Sequence, residues 1–230
     1  MHDIIEAIWL AAGLVVGFDP LVLRVAGLSI AISLAATTGA ALAGLPLGAV
    51  LAAYPFRGRG GVVLLANALL GLPPVVVGLA LYLVLSRSGP LGGLGLLFTP
   101  GAMVIAQFLL ALPIITALGH RASAVVWARY GDEFLALGLT RRQALPHLLR
   151  IGRAEALTAV LAGFGRTISE VGAILIVGGN IAGYTRTMTT AIMLETSQGH
   201  LAYALALGLV LVAISVAVSS AAFVLSARAS

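Results

Sequence analysis

Residues 120–142 read HRASAVVWARYGDEFLALGLTRR, and the pattern continues through Arg150 to Arg153. This is a basic, helix-forming island in a chain that is otherwise apolar. It holds six of the thirteen arginines and two of the eight acids. Pro90–Gly119 precedes it without a single charge, and a second apolar stretch runs from Ala154 to about Gly179. A charged helical loop between two apolar stretches is the pattern of a polytopic membrane protein. The expected fold class is all-α.

Composition agrees. Of 230 residues, 60% are hydrophobic and 9% charged, where a soluble domain carries about 25% charged residues. Mean hydropathy is +1.11. The net charge of +5 sits in short loops between apolar runs, as the positive-inside rule describes, so it is not the signature of a nucleic-acid binder. Lysine is absent. A P-loop needs a lysine to reach nucleotide phosphates, so no Walker-type ATPase is expected within this chain. Cysteine is absent as well, which excludes disulfides and thiolate chemistry. His2, His120, His147 and His200 are too widely separated to form a metal pair at helical spacing. No cofactor or metal is expected. Asp3 and Glu6 stand where a signal peptide would carry positive charge.

Uncharged runs of 18 or more residues are candidate membrane spans. Val25–Ala53, Gly60–Ser86, Pro90–Gly119 and Leu201–Ala227 qualify, and Ala154 to about Gly179 is a fifth span interrupted by Glu155, Arg166 and Glu170. Ile4–Phe18 is short for a hydrocarbon core of about 30 Å and is expected to lie in the interface, with a tilted crossing as the alternative. The whole chain is read as one transmembrane domain, 1–230, whose loop occupies about 120–153. With that loop cytoplasmic, nine arginines lie inside, including Arg57, Arg59 and Arg228, and three (Arg24, Arg87, Arg186) outside. Orientation follows: multi-pass, with the loop and the C-terminus cytoplasmic.

Local signals refine the picture. Pro73-Pro74 after Gly71 is expected to bend the second span, as a hinge or as a packing feature. Ala40-Ala41, Ala43-Gly44 and Gly48 suit close helix contact. Gly89–Gly95 reads as a flexible external loop. Asp132–Leu137 reads as a short helix with acids in its first turn, favourable to its dipole. Thr140, with Gln143 three residues on, reads as the capping box of a second helix.

Asp132, Glu133 and Phe134, followed by Gly138, resemble the coupling loop of ABC importer permeases, whose pattern is Glu-Ala-Ala, three residues and Gly. Here Asp stands first and both alanines are replaced, while Leu145-Pro146 comes earlier than the family's Ile-x-Leu-Pro. Further on, Gly165-Arg166-Thr167-Ile168-Ser169-Glu170-Val171-Gly172-Ala173, Gly178-Gly179-Asn180-Ile181, Thr185-Arg186-Thr187-Met188-Thr189-Thr190-Ala191-Ile192 and Leu194-Glu195-Thr196 look like the permease of tungstate ABC importers. Molybdate permeases are similar, but usually show Gly-Glu-Phe-Gly-Ala in the first stretch and Ala-Gly-Asn in the second. The resemblance runs from Leu21 to the last span.

What it implies is a type I oxyanion importer in a prokaryotic plasma membrane. Two copies of the chain, embedded in lipid, would form the pore. Two separate ATP-binding cassette ATPase subunits would bind the cytoplasmic loops, and an extracytoplasmic binding protein would deliver the anion. Tungstate is the expected anion, with molybdate or another oxyanion as the alternative. Asp132, Glu133, Gly138, Arg141 and Arg142 would couple to the ATPase, and the permease itself would have no catalytic residue.

Arg166 and Glu170 stand at i and i+4 and would share one face of a helix. Intramembrane charges suggest a functional site by default. Two readings stay open: a translocation route or gate, with Ser169 and Asn180 as donors, or a local ion pair that sets packing. Arg186 and Thr187 would dock the binding protein or meet the anion, unless this stretch is a hydroxyl-capped surface helix with Glu195 in solvent. A self-sufficient secondary transporter or channel would need an internal repeat or a relay of buried ionisable groups, and an intramembrane enzyme a nucleophile with its base. Neither pattern is evident.

Overall fold

The structure is a computed structural model, and it describes residues 8–11, 13, 14, 16, 17 and 19–227. The expected interfacial helix at Ile4–Phe18 therefore lies partly outside the described residues; 8–11, 13, 14 and 16 are helical. Arg228, used above for orientation, also lies outside them. The described secondary structure is helical: α1 (Pro20–Ala53), α2 (Arg59–Ala68), α3 (Pro74–Leu85), α4 (Pro100–Ala136), α5 (Arg141–Ile151), α6 (Arg153–Ile168), α7 (Gly172–Gly178), α8 (Met188–Ser197) and α9 (Leu201–Ala227). This is an all-α polytopic architecture.

Among the described residues, three helices are long and apolar enough to cross a membrane as they stand: α1, α4 and the Leu201–Ala221 part of α9. Two helix pairs qualify only when taken together, each as a broken span or a re-entrant loop. Arg59–Gly71 and Pro74–Leu85 are bent by 102°, and Arg153–Ile168 and Gly172–Gly178 by 59°. The first break has a plain cause. Pro73 fixes its own φ, lacks a donor and pushes Leu72 out of the helical region; Leu72 is extended, at φ −60° and ψ 123°. Pro74 then opens α3 at a position where a missing N–H costs nothing. Pro20 does the same for α1, behind an Asp19 cap whose Oδ1 accepts from the amides of Leu21 (2.9 Å) and Val22 (3.1 Å).

By Cα packing the described residues group into two compact units. One draws on 1–35, 73–107 and 167–218, the other on 36–72, 108–166 and 219–230. In the first, a Cβ on Gly78 would come within 2.8 Å of the Ala173 Cα, so α3 and α7 touch backbone to backbone. Gly178 lies equally close to Met103, whose side chain is fully buried. Gly89–Gly95 is no loose loop. The Leu91 amide donates to the Val84 carbonyl, and any Cβ on Gly89 or Gly92 would collide with carbonyls of residues 83–87. Glycine is there because the chain winds tightly back over the end of α3.

In the second unit, Ala40, Gly44 and Gly48 form one small-residue stripe at i, i+4, i+8. Ala40 packs with Ala111 and Ile115 in the core, and a Cβ on Gly44 would sit 3.0 Å from the Thr116 hydroxyl. At Gly48 the approach is closest: a Cβ would lie 2.6 Å from the His120 backbone nitrogen and 2.8 Å from the Gly119 carbonyl carbon. Apolar side chains gain nothing over lipid by meeting one another, so such contact supplies the van der Waals energy that holds membrane helices together. The small-residue expectation is met at these positions.

Because the atoms facing Gly48 are backbone, they cannot rotate away. Gly48→Ala should destabilise by about 1–3 kcal/mol, as overpacking does. It should lower the melting temperature of the purified protein in detergent. Gly27→Ala, with no atom within 4 Å of the added carbon, should not. Equal melting temperatures for the two variants would contradict the packing described here.

Candidate functional site

The charged segment is built differently from its sequence pattern in one respect. Asp132 and Glu133 do not begin a helix. No proline or capping residue interrupts the chain before them, and Gly131 leaves room for the Trp127 ring, 3.0 Å from where its Cβ would be. α4 therefore continues to Ala136. Both acids are exposed near its C-terminal end, where the macrodipole disfavours them. The expected short helix with favourable acids is corrected accordingly.

Gly138 ends α4 as a Schellman turn. It adopts φ 80°, its amide donates to the Leu135 carbonyl (3.0 Å), and the Leu139 amide donates to the Phe134 carbonyl (3.0 Å). Glycine is required by this left-handed position. Two residues on, the Thr140 side chain accepts from the Gln143 amide (3.3 Å) while the Thr140 amide donates to Gln143 Oε1 (2.8 Å). That is the expected capping box. Between the two caps, Leu135, Ala136, Leu137 and Gly138 are all exposed, Leu137 to 77%.

Beneath this tip, Ala53, Val126 and Leu148 are buried together, with Trp127, Tyr130, Phe134 and Leu145 packed on them. Arg141 is tied into that cluster. Its Nη1 donates to the Ala53 carbonyl at the end of α1, and its guanidinium lies 5.3 Å from the centre of the Trp127 ring. Arg59 Nε donates to the Leu51 carbonyl (2.5 Å) in the same turn. Two arginines thus satisfy carbonyls that a helix end leaves open. Arg142, by contrast, is exposed. Of the five residues expected to couple, four face outward or shape the tip, and Arg141 anchors it.

The second charged region lies at the break between α6 and α7. α6 ends at Ile168, so Arg166 and Glu170 do not share a continuous helix face as their spacing predicts. Glu170 is instead 3% exposed, and its Oε1 accepts from the amides of Gly172 (2.8 Å) and Ala173 (3.3 Å) at the start of α7. Its backbone carbonyl accepts from the Thr189 hydroxyl (2.7 Å). A helix restarted inside an apolar span needs acceptors for its first amides, and Glu170 provides one. On the other side of the break, buried Gln107 donates its Nε2 to the Thr167 carbonyl (2.9 Å). Arg166 is half-buried and Ser169 exposed.

The loop from Gly178 to Arg186 is held from within. The Thr185 hydroxyl donates to the Gly178 carbonyl (2.6 Å) and accepts from the Ile181 amide (2.9 Å), while the amides of Tyr184, Thr185 and Arg186 all converge on the Ile181 carbonyl. Asn180 takes a left-handed φ of 49° and its Oδ1 is buried. Thr187 is 2% exposed and serves as the N-cap of α8, paired with Thr190 in a capping box. The Met188 amide donates to the Ser29 hydroxyl (2.7 Å). The hydroxyl-capped helix is therefore present but buried at its start, and Glu195 is held by His200 Nδ1 at 2.8 Å rather than free in solvent.

The sequence reading missed Gln107, Ser29 and Trp127, and named Thr185 only as part of the stretch around Arg186. Only Gln107 carried a signal, as an amide in the middle of an uncharged run.

The described residues thus form a multi-pass helical membrane protein with an exposed, doubly capped turn after α4. No protein-family model matches the chain. It is 40% identical to the tungstate uptake system permease protein TupB of Peptoclostridium acidaminophilum over 220 residues, covering 96% of both chains. It is also 40% identical to a probable anion ABC transporter permease protein of Haloferax volcanii over 201 residues, 85% of this chain and 87% of that one. The molybdenum transport system permease protein ModB of Mycobacterium tuberculosis is 33% identical over 202 residues, 81% of this chain and 74% of its own. The chain belongs to the permease family of ABC anion transporters.

Two outcomes check this geometry. Thr140→Ala should cost about 1 kcal/mol of helix stability, the usual value of a lost N-cap. It should speed amide hydrogen exchange at Gln143 without altering α1, and unchanged exchange would show the box to be idle. Glu170→Ala leaves two buried amides without this acceptor and should destabilise by about 1–3 kcal/mol. Glu170→Gln keeps an acceptor oxygen and should lose less, as read by melting temperature.

Proposed function

We propose that this chain is the membrane-spanning subunit of an ATP-driven oxyanion importer, with tungstate as its anion. The observation that carries the mechanism is the tip at residues 132–142. It is outward-facing, apolar at Leu135 and Leu137, flanked by Asp132, Glu133 and Arg142, and locked between a Schellman turn and a capping box. A tip this constrained can pass on the movement of a partner without absorbing it. Arg141, fixed to the end of α1, carries the displacement into the membrane helices.

In this reading two copies of the chain form the pathway, two ATPase subunits receive the tips on the cytoplasmic side, and an extracytoplasmic binding protein delivers the anion. With no lysine to serve a P-loop, this reading assigns ATP hydrolysis to the partner. The 40% identity over 96% of the chain to a tungstate uptake permease, against 33% over 81% to a molybdenum one, favours tungstate. Arg166 and Ser169, with Glu170 and Asn180 at the two ends of α7, border the route. A transit site must release its ion as well as bind it, and one arginine beside a broken span fits that need.

The test is ATPase activity of the chain co-assembled in lipid with its ATPase subunits, with binding protein and tungstate, molybdate or sulfate added. Tungstate should stimulate hydrolysis at the lowest concentration. Asp132→Arg with Glu133→Arg, or Gly138→Pro, should leave a folded membrane protein whose partner ATPase no longer responds to the loaded binding protein. Normal stimulation in both variants would remove the coupling assignment, and stimulation by molybdate alone would move the specificity.

A further inference from the structure

The first unit contains a partly open cavity of about 140 Å³, lined by Leu21, Arg24 and Leu28 of α1, Tyr184 and Arg186 of the loop before α8, and Tyr203 of α9. Arg186 Nε and the Tyr203 hydroxyl are both buried, and neither has a hydrogen-bond partner within the protein. Two buried donors on one small cavity are costly to leave unmade. A second guanidinium, Arg24, lines the same space. The neighbouring carboxylates are already engaged: Asp19 Oδ1 caps α1 through the amides of Leu21 and Val22, and Glu195 Oε2 is held by His200. Neither acid lines the cavity. What remains is two cations and a phenol facing a space the size of the roughly 150 Å³ cavity that accommodates benzene. Its walls are mostly apolar, but unlike that dry cavity it has charged and hydroxyl donors on its lining.

We propose that Arg24, Arg186 and Tyr203 form a binding site for one tetrahedral oxyanion. Guanidinium groups match the oxygens of such ions in geometry and charge, and the phenol adds a neutral donor. Arg186 is aimed by its loop: Thr185, fully buried, ties the turn to Gly178, and the Arg186 amide is anchored on Ile181. The assignment rests on the importer reading for the side of the membrane from which the ion arrives, namely the extracytoplasmic side. A free ion is favoured over a carboxylate presented by a docked protein because two of the donors are buried in a cavity only large enough for a small ligand.

The full chain, reconstituted in lipid nanodiscs without binding protein or ATPase, is dialysed against tungstate, and bound metal is counted by mass spectrometry with sulfate as competitor. One tungstate per chain should bind saturably and be displaced by sulfate. Arg186→Gln should weaken binding about tenfold or more, the scale of a lost hydrogen bond to a charged group. Tyr203→Phe keeps the ring and the fold, confirmed by an unchanged melting temperature, and should weaken binding several-fold; Arg24→Gln tests the exposed cation. No saturable binding up to millimolar tungstate, or equal affinity in all three variants, overturns the proposal. So does loss of binding-protein docking in Arg186→Gln when the bare chain takes up no tungstate, which would assign the arginine to a protein carboxylate. The readout needs no ATP, so failure here leaves the ATPase test of the importer reading standing, and failure there leaves this site standing.

Discussion

The open carbonyls at the end of α1 organise the charged part of this molecule. A helix leaves its last carbonyls without partners, and in an apolar chain there is little else to satisfy them. Arg59 takes the carbonyl of Leu51 and Arg141 that of Ala53. The second of these bonds reaches 88 positions along the chain, so the end of one membrane helix becomes the anchor of the tip. Trp127 stacks on the same guanidinium, and Leu148 and Val126 close the cluster beneath it. The arginines whose number sets the expected orientation thus also have individual structural work.

The close approach of α1 and α4 makes this anchor possible. Gly44 and Gly48 let the backbones meet at Thr116 and His120, and the end of α1 then meets a later turn of α4 at the Ala53–Val126–Leu148 cluster. A bulkier stripe would separate the carbonyl of Ala53 from the arginine that caps it. In the proposed importer, function depends on this chain of contacts, which ties the exposed tip at Leu135–Gly138 to the end of α1.

The same rule of internal satisfaction explains the broken span. Interrupting a helix inside hydrocarbon exposes carbonyls on one side and amides on the other. Gln107 answers the Thr167 carbonyl, Glu170 answers the amides of Gly172 and Ala173, and Thr189 returns to the Glu170 carbonyl. Buried Thr185 does the same for the loop that follows. Several polar residues at these breaks are committed to backbone; among the buried donors that are not, Arg186 and Tyr203 are the two that line one cavity.

Much of this was legible in the chain alone. Uncharged runs located the spans, because a bilayer of fixed thickness demands them, and arginine placement set the expected orientation. Gly138, Thr140 and Gln143 announced their turn and cap, since those depend on residues only a few positions apart. The stripe at Gly44 and Gly48 announced close packing without naming its partner. What tertiary structure alone decided were the long-range meetings: Arg141 with Ala53, Gln107 with Thr167, Ser29 with Met188, and Arg24 with Arg186 and Tyr203 around one cavity. It also decided that Glu170 caps the amides that open α7, and that Asp132 and Glu133 lie near the end of a helix instead of starting one. Local pattern records what neighbouring residues can satisfy. Where a buried polar group must find its partner dozens of residues away, only the packed helices determine which one it meets.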